Sequence, residues 1–197
     1  MSEFMLYLEI GLRHVLDIKA YDHVLFLIAL VVPYSFKDWK RILVLVSIFT
    51  LGHTVALIMS VYGIIKFNAG WIEFLIPITI VSTAIYNLFN AGKGSGKSGI
   101  SIAFFITLFF GIIHGLGFSN YFKSILAGSA GDKILPLLEF ALGIELAQLA
   151  VVLTVLLISF IMQYLIRNSK RNVVLITSSI IIGVVIPMLI ESEIWRK

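Results

Sequence analysis

Five apolar runs, each long enough to cross a bilayer, dominate this chain. They cover about residues 39–62, 71–90, 100–120, 136–162 and 172–191. A spanning helix needs roughly 20 mostly apolar residues, so each run qualifies. A sixth run, about 22–36, is shorter and ends at Val32-Pro33-Tyr34. The stretch before it, about 4–18, is amphipathic: Glu9, Arg13 and Asp17 recur every four residues, with Leu6, Ile10 and Leu12 elsewhere around the helix. It is read either as a surface helix or as a seventh span. The expected fold is an all-α integral membrane protein, a six-to-seven transmembrane helix bundle with an N-terminal amphipathic helix. The breaks between runs are too short for a soluble domain, so residues 1–197 form a single transmembrane domain.

Composition points the same way. The chain is 59% hydrophobic and 13% charged, against about 45–50% and about 25% in soluble domains. It contains no cysteine, which removes disulfides, iron–sulfur clusters and thiolate zinc sites. The net charge of +4 is spread over short loops. In a membrane protein such charge orients the helices and implies no nucleic-acid partner. Lys37, Lys40, Arg41, Lys93, Lys97, Arg167, Lys170 and Arg171 fall on alternate loops, whereas the opposite internal loops carry Lys66, Lys123 and Lys133. The loops near 37–41, 91–99 and 163–172 are therefore expected to be cytoplasmic. The N-terminus, with Glu3 and Glu9 and no basic leader, does not read as a cleavable signal peptide.

Ionisable side chains inside spans are costly, and each is a functional candidate. His23, His53 and His114 sit in or at the edge of spans, His14 lies in the amphipathic helix, and Asp17, Asp22, Glu73, Glu139 and Glu145 join them. Helix rise allows a depth test. His53 and His114 each lie 14 residues above the cytoplasmic start of their runs, roughly 21 Å up in a core about 30 Å thick. Asp22, His23, Glu73 and Glu139 start runs that enter from outside, and Glu145 is about two turns deeper than Glu139. The charged groups thus converge on the outer half, while the inner half offers neutral groups such as Ser82, Asn87, Thr154 and Ser178.

Imidazoles and carboxylates at one depth suit a borderline divalent metal such as nickel, cobalt or zinc. The expected ligands are His23, His53, His114, Asp22 and His14. Behind them, Asp17, Glu73, Glu145 and Gln148 are expected to orient the histidines. Glu145 and Gln148, three apart on one face, would also serve as a plain interhelical hydrogen-bond pair. Gly111 and Gly115 bracket His114 with the spacing of close helix packing, which would let a second helix approach the imidazole.

Two tempting motifs fail. The loop Gly92 to Gly99 resembles a phosphate-binding loop, but Ala91 stands where that pattern needs its first glycine, and no strand precedes it. It reads as a flexible basic linker. No G-x-S-x-G elbow occurs.

At these polar residues the sequence resembles the HupE/UreJ family of small bacterial membrane proteins. The resemblance rests on HVLDIKAYDHVLFLIAL from His14, TLGHTVAL from Thr50 and WIEFLIPITIVSTAIYN from Trp71. FGIIHGLGFS from Phe110 and LGIELAQLAVV from Leu142 complete it. Within it His14, Asp22 and His23 match the histidine–aspartate signature, and His53, Glu73, His114 and Glu145 match later polar motifs. Lys19 and Ala20 stand where a glycine-containing turn is usual. The resemblance implies a six-to-seven-span fold in the bacterial inner membrane and nickel or cobalt uptake for hydrogenase or urease maturation.

The leading expectation is therefore a nickel/cobalt permease whose site faces outward, with the metal ion and the lipid bilayer as partners. Homo-oligomerisation is left open. The rival is a zinc-dependent intramembrane hydrolase acting at the outer leaflet, with Glu73, Glu139 or Glu145 as general base. A metal-binding accessory subunit is the third reading.

Overall fold

The computed structural model describes residues 2–92, 100–126 and 133–195, with side chains in the fifth helix from residue 103 onward. The described residues are helical, without strands. The order is α1 (Glu3–Val15), α2 (Asp22–Val31), α3 (Trp39–Val61), α4 (Ala69–Asn90), α5 (Ile100–Leu126), α6 (Ile134–Tyr164) and α7 (Lys170–Ile190). Short 3-10 turns at Phe36–Asp38 and Glu193–Trp195 complete it. Helices α3 to α7 are each long and apolar enough to cross a membrane. The glycine-rich basic linker expected after Gly92, part of the break before Leu135, and Arg196 and Lys197 lie outside the described residues.

Local chemistry explains several helix ends. Asn68 caps α4 by accepting from Gly70 N at 3.0 Å, and Ser169 caps α7 by accepting from Asn172 N at 3.2 Å. Helix α2 stops short because Pro33 lacks the N–H that Ala29 O would otherwise accept. Asn87 of α4 replaces it, donating from Nδ2 to Ala29 O at 2.6 Å. The break expected at Tyr121 is absent. Helix α5 continues to Leu126 because Phe122 and Leu126 are buried in the core.

Two helix pairs approach to backbone contact. A Cβ at Gly11 of α1 would strike Phe140 O of α6, and one at Gly143 would strike Leu8 O. Between α3 and α5, a Cβ at Gly52 would meet Leu108 O, at Gly111 Phe49 O, and at Gly115 the backbone of His53. Glycine is the residue that permits such approach. The glycines around His114 therefore pack helices tightly and set α3 against α5 beside two of the histidines.

The first helix is embedded in the bundle. Tyr7, Gly11 and Val15 are buried along one side. Its 13 residues reach about 20 Å, short of a bilayer core of about 30 Å. Large apolar side chains stay exposed on the long helices, including Phe105, Phe109, Leu153 and Ile180. Lipid, and not water, is the solvent such faces require.

Contacts also fix which loops share an end. Val32, Ala91, Met162, Val173 and Val174 pack together, so the ends of α2, α4 and α6 and the start of α7 lie at one end. That end carries Lys37, Lys40, Arg41, Arg167, Lys170 and Arg171. At the opposite end Phe74 packs on Trp195 at 5.5 Å and Lys123 lies over the Phe67 ring.

Candidate metal centre

Four helices bring one histidine each to a single place. His23 opens α2, where Asp22 occupies the first turn and favours the helix N-terminus. His53 sits on the face of α3 that Gly115 approaches. His14 stands on α1 one turn beyond Gly11, where α1 touches α6. The His14 and His23 rings lie 4.5 Å apart, His14 and His53 5.5 Å, and His23 and His53 5.6 Å. His114 of α5 joins through His23 at 5.1 Å. One ligand nitrogen from each of His14, His23 and His53 can be chosen so that all three lie within 4.8 Å of one another.

The hydrogen-bond pattern decides which nitrogens are free. His114 Nδ1 lies 2.8 Å from Phe110 O. A carbonyl cannot donate, so Nδ1 carries the hydrogen and Nε2 keeps its lone pair. His23 Nδ1 lies 3.1 Å from Asp22 Oδ1, which also accepts from His23 N at 2.9 Å. The carboxylate therefore fixes the same tautomer there and leaves Nε2 as the ligand atom. Among the histidines, the buried ring nitrogens without a protein partner are Nε2 of His14, His23 and His114 and both nitrogens of His53.

Each such orphaned group costs about 1–3 kcal/mol. Five of them in one cluster oppose folding unless something binds there. The packing around the rings is aromatic: the Phe118 and His14 ring centres lie 3.7 Å apart at a tilt of 37°, and Phe49 and Phe140 flank His53 at 6.4 and 6.1 Å. Imidazoles whose nitrogens lack protein partners, in an aromatic-walled cluster, are a donor set for a borderline divalent cation. A tetrahedral ion holding nitrogens at about 2.1 Å would separate them by about 3.4 Å, so only small ring movements would close the site.

The carboxylates fare differently. Asp22 lies beside His23 and outside the three-nitrogen group, because it folds back onto its own helix start. Asp17 is exposed and accepts from Lys19 N at 2.9 Å, forming the turn ahead of α2. Glu73 is exposed. The buried stripe of α4 is Ile72, Ile76 and Ile80, and Glu73 lies at its margin, about 60° from its centre. Glu139 is buried, with Oε2 unpartnered, on the residue before Phe140. Glu145 and Gln148 face α3 below the histidines, where Glu145 accepts from Ser47 at 2.6 Å and meets Thr50. Thr50 also lies 3.0 Å from Gln148 Oε1.

The expected single level of charge therefore splits: the histidines with Asp22, then a separate group around Glu145. Ser47 and Thr50 were missed as members of that lower group. Their signal in the sequence is the spacing Ser47, Thr50, His53, three residues apart along one helix. On α3 the histidine has 14 residues below it and eight above, counted from Trp39 to Val61. Helix α5 is longer than expected, and His114 stands near its middle.

Comparison with family models finds one described as HupE / UreJ protein, matching residues 1–192. No curated protein and no solved structure matches the chain.

Proposed function

Because this chain belongs to the HupE/UreJ family, a family generally associated with nickel/cobalt transport or maturation, we propose that it takes up nickel or cobalt through its histidine cluster. The observation that carries this reading is the set of buried imidazole nitrogens without protein partners, contributed by α1, α2, α3 and α5. His14, His23 and His53 would bind the ion, with His114 adjoining them. Asp22 would orient His23 and supply the nearest negative charge.

In this reading the protein lies in a bacterial inner membrane with the histidines toward the outer face. The basic loop ends would then be cytoplasmic. The ion sheds water as it enters an aromatic-walled cluster, and the imidazoles replace that hydration. The hydrolase alternative retains one candidate base in Glu139, whose buried Oε2 is free. Glu73 and Glu145 support it less, one being exposed and the other held by Ser47 and Thr50.

The test is uptake of radioactive nickel by proteoliposomes of the purified protein. Time-dependent accumulation that His53→Ala abolishes is the expected result. A tightly held ion with no accumulation in the lumen would overturn the uptake reading.

A further inference from the structure

Inward of the histidines, the seam between α3 and α6 carries a second polar group of different chemistry. Thr50 lies three residues before His53, about 4.5 Å further along the helix, and Ser47 another 4.5 Å beyond. Glu145 and Gln148 face them from α6. Ser47 Oγ donates to Glu145 Oε1 at 2.6 Å, and Thr50 Oγ1 contacts Glu145 Oε2. The same Thr50 oxygen lies 3.0 Å from Gln148 Oε1 and 3.3 Å from Val46 O. Gln148 is 0% exposed, and its Nε2 has no partner.

Counting hydrogens shows what this group lacks. The Thr50 hydroxyl has one hydrogen and faces three oxygen acceptors. The Ser47 hydrogen is committed to Glu145 Oε1. Turning the Gln148 amide over would let its nitrogen donate to Thr50, but Oε1 would then become the buried orphan. Neither orientation provides a positive charge for the carboxylate. Among the described residues the ion pairs are Arg13 with Glu9 and His23 with Asp22, and no cation pairs with Glu145. The group stands about 12–16 Å above the basic end of α3, near the middle of a core about 30 Å thick. An ionised carboxylate there calls for a compensating charge, which a bound cation would supply.

We infer that Glu145, Gln148, Ser47 and Thr50 form a second cation site, all-oxygen in character, that receives the divalent metal on its way from the histidines. The inference rests on the uptake reading for its occupant. Imidazole holds nickel and cobalt strongly, whereas one carboxylate with hydroxyl and amide oxygens is a harder and weaker set. Stepping from nitrogen to oxygen ligands gives the ion a foothold from which it leaves easily. Conduction needs such a balance, with binding strong enough to capture and weak enough to release.

The experiment uses full-length protein in detergent, with Ni(II) and, as a probe favouring oxygen ligands, Mn(II). Wild type is expected to bind two Ni(II) ions per chain, one tight and one weak. Mn(II) should occupy the weak site and survive His53→Ala. Glu145→Gln should abolish the weak site, leave the tight one, and slow nickel uptake by about 10-fold or more. Unchanged Mn(II) binding and Ni(II) stoichiometry in Glu145→Gln would overturn the site.

A measurement on wild type alone guards against misfolded variants. Electron spin echo spectra of bound Mn(II) should lack coupling to imidazole nitrogen, and its presence would overturn the site. The two readings fail separately. Two ions bound with no nickel uptake would sink the uptake reading and keep the site. Nickel uptake at the wild-type rate in Glu145→Gln would sink the site and keep uptake.

Discussion

His53 and Asn87 are both polar side chains buried within apolar spans, at 0% and 4% exposure, yet the bundle treats them oppositely. Asn87 repairs its surroundings: its amide supplies the hydrogen bond that Pro33 denies to Ala29 O. Two polar groups on α6 behave alike. Thr154 donates to Ala150 O and Gln163 to Ser159. Around His53 the pattern reverses, since five imidazole nitrogens lie buried without protein partners. One region spends its polarity on the fold, and the other holds it for a ligand.

The largest effect separates the two regions directly. His53→Leu, of similar volume, should lower metal affinity by more than about 100-fold, beyond the usual range for residues that only orient ligands. Its metal-free thermal stability should stay level or rise, because two orphaned nitrogens are removed. A melting curve in chelator checks this, and a marked loss of stability would mean His53 serves the fold as Asn87 does.

Asp22→Asn should come next. It removes the charge that fixes the His23 tautomer and should weaken metal binding about 10–100-fold, read by competition against a metal indicator. Asn87→Leu should do the converse. It leaves Ala29 O unpaired and should cost about 1–3 kcal/mol of stability, with metal affinity per folded molecule unchanged. The smallest effect is expected at exposed Glu73. Glu73→Gln should move stability by no more than about 0.5 kcal/mol and leave metal affinity at the wild-type level in the same assay. A large loss of affinity there would bring α4 into the site and blur the contrast.

Much of this is legible in the sequence. Long apolar runs announce spanning helices because hydrocarbon leaves a chain few other options. Titratable residues stand out for the same reason, and His23, His53 and His114 were visible as candidates through depth alone. Rotation about the helix axis was not legible. Glu73 shares the end of the bundle at which His23 lies but stays exposed at the margin of the buried stripe, since depth says nothing of azimuth. His14 was ambiguous because an amphipathic pattern fits both a surface helix and a docked one. What places it is the contact of Gly11 with Gly143, a tertiary match between two glycines distant in the chain. Ser47 and Thr50 escaped notice because hydroxyls in spans usually bond their own helix, as Thr54 does to Thr50 O at 2.8 Å.

The most direct measurement is X-ray absorption at the nickel or cobalt edge, on purified protein loaded with one ion per chain. At least three imidazole nitrogens at about 2.0–2.1 Å are expected, with loss of imidazole scattering in His14→Ala and His53→Ala alike. An ion surrounded by oxygen alone, or an imidazole signal untouched by both substitutions, would contradict a shared centre built from α1, α2 and α3.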